Sequence, residues 1–193
     1  HQYKDPAKPW IVMAHDLNSP TSAHGGSGKS TFFNALSQTG ILQTVTLNGR
    51  DENLFDKAYW NEAVTEQTDL VLFEDLTNQF PIDHFLNLST GMQVQSRSGK
   101  TLQLNYSIAP KLAATSAFNH MRTDSSFSRR ILKVPFSDFY CANHSIEQDL
   151  GKRLFTDFYQ DEWNAFYNTM IRCLMVYLQK EEKPEVAELK NSN

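Results

Sequence analysis

The 193-residue chain has little cysteine, no long apolar run and no excess of positive charge. Its two cysteines, Cys141 and Cys173, lie far apart and match no disulfide framework, so a reduced, cytoplasmic setting is expected. No stretch approaches the roughly 20 consecutive apolar residues of a membrane-spanning helix, and no membrane association is predicted. The start, His1-Gln2-Tyr3-Lys4-Asp5-Pro6, has neither the basic opening nor the apolar stretch of a signal peptide. It also lacks an initiator Met, and we expect a piece of a longer protein. Eighteen Lys and Arg stand against 22 Asp and Glu, a net charge of −4. Strong binding to nucleic-acid phosphates usually leaves a basic balance, so any such grip here has to be local. Internal repeats and low-complexity segments are missing too.

What is present suits a folded domain. Forty per cent of residues are apolar and 12% aromatic, enough buried surface to offset ordering entropy. Short β-rich runs alternate with amphipathic stretches, which predicts an α/β layer fold. Strands are expected at Trp10–Ala14, Val45–Leu47, Leu70–Phe73, Lys111–Thr115 and Ile131–Phe136. The third is apolar without alternation, the mark of a central strand. Helices are expected from Ser30 to Leu36, from Phe55 to Val64 and from Pro81 onward. Turn formers fill Asn18–Ser22, and Asn48-Gly49 reads as a turn pair. Gln93–Leu104 reads as a hairpin around Arg97-Ser98-Gly99-Lys100. Near the end, Trp163, Phe166, Tyr167, Met170, Ile171, Leu174 and Leu178 recur every three or four residues, a long helix whose apolar face we read as core. The polar tail 180–193 is expected to fray.

The sharpest motif is His24-Gly25-Gly26-Ser27-Gly28-Lys29-Ser30-Thr31. Glycines let backbone N–H groups wrap phosphates without Cβ clashes, and the helix that follows adds its own amides and dipole. Lys29 would reach the β- and γ-phosphates of ATP, and the Ser30 hydroxyl would ligate Mg2+. Ala23 stands where the usual pattern has its first glycine, with Gly25 and Gly26 as compensation.

Leu70-Val71-Leu72-Phe73 ends in Glu74-Asp75. A nucleotide hydrolase needs one carboxylate for the metal and one to polarise the attacking water. We assign Glu74 to Mg2+ and Asp75 to the water. Two acids at a strand end are common in solvated loops; their meaning here comes from the phosphate loop upstream. The strand Lys111–Thr115 also ends in polar residues, Thr115-Ser116, which could place a side chain beside the γ-phosphate. Arg129 and Arg130 follow. An arginine reaching a neighbour's nucleotide would stabilise charge building on the transferred phosphoryl group. Cys141 and His144 have a metal-like spacing without the second pair that structural zinc needs, and carry no site.

The order of these parts resembles the superfamily 3 helicases, most closely the phage and mobile-element branch of primase-linked and virulence-associated helicases. The residues that carry it are the phosphate loop, the strand with Glu74-Asp75, Pro110-Lys111-x-x-x-Thr115-Ser116, Ser126-x-Ser128-Arg129-Arg130-Ile131 and Val134-Pro135-Phe136. The match runs from about Trp10 to Tyr140, and Leu154-Phe155-x-x-Phe158 with Glu162-Trp163-Asn164-x-Phe166-Tyr167-Asn168 is similar to the helix after this core.

The resemblance implies a P-loop NTPase of AAA+ type. It implies a central, mostly parallel five-stranded sheet flanked by helices, with an inserted β-hairpin and a C-terminal helix. Residues 1–145 form the ATPase core and 146–193 a helical segment packed on it. It implies a homo-oligomer, usually a hexameric ring, that hydrolyses ATP with Mg2+ to move on single-stranded or forked DNA, in a bacterial host's cytoplasm if phage-encoded. Arg129 or Arg130 would then be the finger acting on the adjacent subunit. Arg97 and Lys100 at the hairpin tip would contact the DNA backbone. Where such helicases carry Asn directly after Thr-Ser, this chain has Ala117: either Asn119 substitutes or the γ-phosphate sensor is missing. An ATP-driven assembly module with little unwinding is the alternative; a small-molecule P-loop kinase would leave the arginine pair unexplained.

Overall fold

A computed structural model describes residues 9–17, 26–120 and 124–179. The expected turn at 18–22, His24 and Gly25 of the phosphate loop, and the tail 180–193 lie outside the described residues. The chain divides into two compact units, His1–Ser145 and Ile146–Asn193.

In the first unit, β1 (Ile11–Asp16), β2 (Thr44–Asn48), β3 (Leu70–Leu76), β6 (Lys111–Ser116) and β7 (Ile131–Phe136) form a five-stranded sheet in the order β2-β3-β6-β1-β7. Every neighbouring pair is parallel. The expected α/β architecture is therefore present, with all of its sheet parallel. Parallel strands need crossovers, and these cover both faces with apolar groups. That is why β1, β3 and β6 read as nearly unbroken apolar runs.

Alternate residues of each strand serve opposite faces. Val12, Ala14, Leu70, Leu72 and Ala113 meet Phe33 of α1 (Lys29–Gln38) and Phe136. Ile11, Met13, Val71, Phe73, Leu112 and Ala114 point to the other, thicker side. There they pack against α2 (Ile82–Leu88), the antiparallel hairpin β4 (Gly91–Gln95) and β5 (Thr101–Asn105), and Phe127 of α3 (Ser125–Arg130). Phe73 is fully buried and touches Phe55, Trp60, Phe80 and Phe85. Phe73→Ala would open a cavity among four rings, and we expect it to cost about 3–5 kcal/mol. Urea unfolding monitored by circular dichroism measures that loss directly.

The helix expected over Phe55–Val64 is not formed. A single 3₁₀ turn, Leu54–Asp56, is followed by turns, with i to i+3 bonds such as Glu62 N–H to Tyr59 O at 3.0 Å. Tyr59 has φ 62, a left-handed conformation no helix interior accepts. Tertiary packing wins over the local pattern: Phe55 and Trp60 stack edge to face at 4.9 Å against the core, and the buried Asn61 amide donates to Gln93 O of the hairpin at 2.8 Å.

The second unit contains α4 (Ile146–Leu150) and α5 (Gln160–Gln179). The aromatic half of α5 clusters with its own unit, Trp163 and Phe166 packing on Phe155, and Trp163 on Phe158. The aliphatic half differs from expectation. No residue of α5 is buried, and Ile171, Leu174 and Leu178 are each more than half exposed.

Candidate nucleotide site

All five parallel strands end on one edge, where ligands of open α/β sheets bind. β1 delivers Asp16 there, β3 delivers Glu74 and Asp75, and β6, lying between them, delivers Thr115 and Ser116. Two strand spacings set the ends of β1 and β3 about 10 Å apart.

The glycine-rich loop enters α1 through Gly26 (φ 101) and Gly28 (φ 90), both in the left-handed region. Gly28 is the N-cap, and its carbonyl accepts from Phe32 N–H at 2.9 Å. A Cβ on Gly26 would lie 3.3 Å from the backbone of Cys141, a tight approach on top of a backbone conformation that strains any side chain. Lys29 and Ser27 are buried, each 8% exposed. Lys29 Nζ donates to Asp16 Oδ1 at 2.5 Å and to Ser27 Oγ at 2.9 Å, while Ser27 Oγ donates to Asp16 Oδ1 at 2.6 Å. Asp16 escaped sequence reading; the only signal was an acid at the end of a buried strand. Ser30 and Thr31, one and two residues further into the first turn, are half-buried.

The acidic pair sits on a bulge. Phe73 pairs with Ala114 and Leu76 with Ser116, so Glu74 and Asp75 together oppose Thr115. Asp75 has φ 59, and its N–H donates to Thr115 Oγ1 at 2.9 Å. The Thr115 hydroxyl thus braces the acid's backbone. Gly49 fits beneath the bulge, donating to Glu74 O at 2.6 Å, and a Cβ on it would fall 2.6 Å from that same oxygen. Asp75 Oδ2 accepts from Arg50 at 3.0 Å, an exposed pair that orients the carboxylate more than it stabilises the fold. Arg50, in the turn after β2, is the second residue the sequence did not betray.

Mg2+ would find hard oxygen donors here, the Ser30 hydroxyl and Glu74, as its chemistry requires. The described residues contain no group of three or more His, Cys, Asp or Glu able to hold a metal by themselves. Cys141 and His144 face each other in a short backbone bridge, His144 N–H donating to Cys141 O at 3.1 Å.

Behind the strand ends lies a buried basic cluster. Ser116 Oγ accepts from Phe118 N–H at 3.0 Å and donates to Leu76 O at 3.1 Å. A hydroxyl has one proton, so the 3.0 Å contact with His120 Nε2 is a donation from the ring. The arrangement is not a nucleophile and its base. His15 Nδ1 donates to Asp16 O at 3.0 Å. Burial, with Lys133 and His15 nearby, pushes His120 down to about 4 from 6.5, and burial lowers His15 also. A histidine with a lower pKa in the fold than in the open chain binds fewer protons there. Its stability contribution is complete above pH 6.5 and is lost as pH falls toward 4. We expect a loss on the order of 2 kcal/mol across that window. In thermal melts from pH 7.5 to 5, wild type should lose more stability than His120→Gln, which has no proton to gain at this position.

Asn119, the candidate sensor, is turned to this cluster: its Oδ1 accepts from Lys133 Nζ at 2.8 Å, and Lys133 lies 5.3 Å over the Phe127 ring. Arg129 and Arg130 end α3, at the opposite edge of the sheet from the phosphate loop. Ile131 pairs with Ile11 and Phe136 with Asp16, so the rise of β7 separates the strand end that follows the arginines from the end beside Asp16 by about 17 Å. Arg129 donates to Ser125 O at 3.1 Å and Arg130 to Ser126 Oγ at 3.3 Å. Arg97 and Lys100 are exposed at the hairpin tip, where Gly99 (φ 78) makes the turn. Glu62 pairs with Arg97 at 3.3 Å and accepts from its N–H at 3.1 Å. The loop, the acids and Thr115 therefore share one edge, and the arginine pair and hairpin tip do not join them.

No helix among the described residues is long and apolar enough to cross a membrane. No protein-family model matches the chain, and no curated protein matches it either. Among solved structures, the chain aligns with a JCV helicase bound to N-(4-(2-(thiazolo[5,4-c]pyridin-2-yl)phenoxy)phenyl)acetamide, at 16% identity and a TM-score of 0.44. The alignment covers 67% of this chain and 36% of that one.

Proposed function

We propose that the chain is an ATP-hydrolysing motor domain of superfamily 3 helicase type, from a phage or mobile-element replication protein. Its task is to translocate on DNA as a ring. The observation that carries this reading is the shared edge: Lys29 at the mouth of α1 and Glu74-Asp75 on a bulged strand end two strands away. Lys29 and the loop amides bind the phosphates, and Ser30 and Glu74 hold Mg2+. Asp75 orients the attacking water, its backbone braced by Thr115 and its carboxylate steered by Arg50. Mg2+ supplies charge neutralisation at the transferred phosphoryl group. Arg129 or Arg130, too distant to serve their own subunit, act on a neighbour's nucleotide. Arg97 and Lys100 grip the DNA backbone once Glu62 releases Arg97.

A specific observation favours a second reading, an ATP-driven assembly module. Ala117 stands at the usual sensor position and Asn119 is committed to Lys133. A sensor so engaged would permit binding while slowing hydrolysis. Steady-state ATPase assays with and without single-stranded DNA separate the two. A motor accelerates severalfold with the strand; an assembly module hydrolyses slowly and at the same rate either way.

A further inference from the structure

Lys29 is already occupied. Its ammonium is buried and held by a carboxylate of the same chain, Asp16, at 2.5 Å, with Ser27 Oγ bonded to both partners. The three groups close on one another across the neck of the loop, tying the last residue of β1 to the first of α1. The other Asp16 oxygen, Oδ2, is also buried and finds no hydrogen-bond donor among the described residues. One oxygen of the acid is thus strongly engaged while the other meets no donor among the described residues, a poor resting place for a group with only structural duties.

Resting on the nucleotide reading above, we propose that Asp16 is an internal stand-in for phosphate, which holds Lys29 until an incoming polyphosphate displaces it. The carboxylate offers the lysine what a phosphate oxygen would: an anionic acceptor at hydrogen-bond distance. It also shields a buried cation that would otherwise stand uncompensated. A nucleotide must therefore out-compete a preformed, low-dielectric ion pair rather than meet a free ammonium. Asp16 lowers apparent affinity and favours ligands with more negative charge. The same contact joins the end of β1 to the start of α1 while no ligand is bound.

The test is titration of the protein with a fluorescent ATP analogue, with and without Mg2+, for wild type, Asp16→Asn, Asp16→Ser and Lys29→Ala. Circular dichroism confirms that each variant is folded; the serine variant serves if the asparagine variant is not. The expected result is roughly tenfold tighter analogue binding when the charge at 16 is removed, in both conditions, since a charge-assisted competitor is lost. Lys29→Ala is expected to bind poorly. Unchanged or weaker binding by both Asp16 variants, while Lys29→Ala still loses binding, overturns the stand-in role and leaves the nucleotide site intact. Weakening confined to Mg2+ would make Asp16 part of the ion's shell and likewise overturn it. No binding by wild type or any variant overturns both readings.

Discussion

Lys29→Ala should lower ATP hydrolysis by at least about 100-fold, the scale seen when a preorganised charge stabiliser is removed from a transition state. The lysine opens α1, on the edge that also carries Glu74 and Asp75. Nucleotide affinity should fall as well, by roughly 10- to 100-fold, because a charge-assisted hydrogen bond contributes about 1.5–3 kcal/mol. The substitution also strands Asp16, whose carboxylate loses its 2.5 Å partner. Some loss of thermal stability is therefore expected in the empty protein, and it must be separated from the kinetic effect. Lys29→Ala combined with Asp16→Asn removes both charges together. That double variant should regain stability while staying inactive. Phosphate release assays and thermal melts on the same preparations decide the matter: near-normal turnover by folded Lys29→Ala would overturn the assignment.

Replacing Arg129 and Arg130 together by alanine should reduce turnover about 1,000-fold while leaving nucleotide affinity within twofold, the pattern of an arginine supplied in trans. Geometry motivates the split. These residues end α3 at the edge where β7 begins, and the phosphate loop lies at the edge where the sheet's strands finish. Under the proposed function the pair would act on the nucleotide of another copy. The sharper experiment mixes the arginine variant with Lys29→Ala. In a mixed assembly some interfaces join an intact phosphate loop to intact arginines, and activity should reappear although each parent is inactive. A mixture no more active than the sum of its parts would show that the pair has no catalytic role between subunits. Single variants then separate Arg129, exposed, from Arg130, half-buried and bonded to Ser126.

The candidate site was legible in unequal parts. Gly28-Lys29-Ser30 announces itself because a tight, left-handed entry to a helix admits few residues other than glycine. Glu74-Asp75 was visible as the end of an apolar strand. Nothing in the sequence revealed that Asp16 takes Lys29, that Arg50 takes Asp75, or that Lys133 takes Asn119. Each pair joins residues 13 or more positions apart, and sequence patterns report on near neighbours. The Phe55–Val64 segment shows the reverse failure. Its local pattern suited a helix, but Phe55 and Trp60 gain more from packing on Phe73 than a short helix could supply.

By itself the sequence determined the five strands, α1, the hairpin and α5, since period, turn residues and apolar runs act over a few residues. Tertiary structure alone decided that β6 lies between β1 and β3, and so sets Thr115 against the acidic pair. It also decided that Glu74 and Asp75 share a bulge, and that the arginine pair lies at the far edge from the phosphate loop. Strand order and register depend on how two apolar faces are covered at once, a balance among residues distant in sequence that no local pattern encodes.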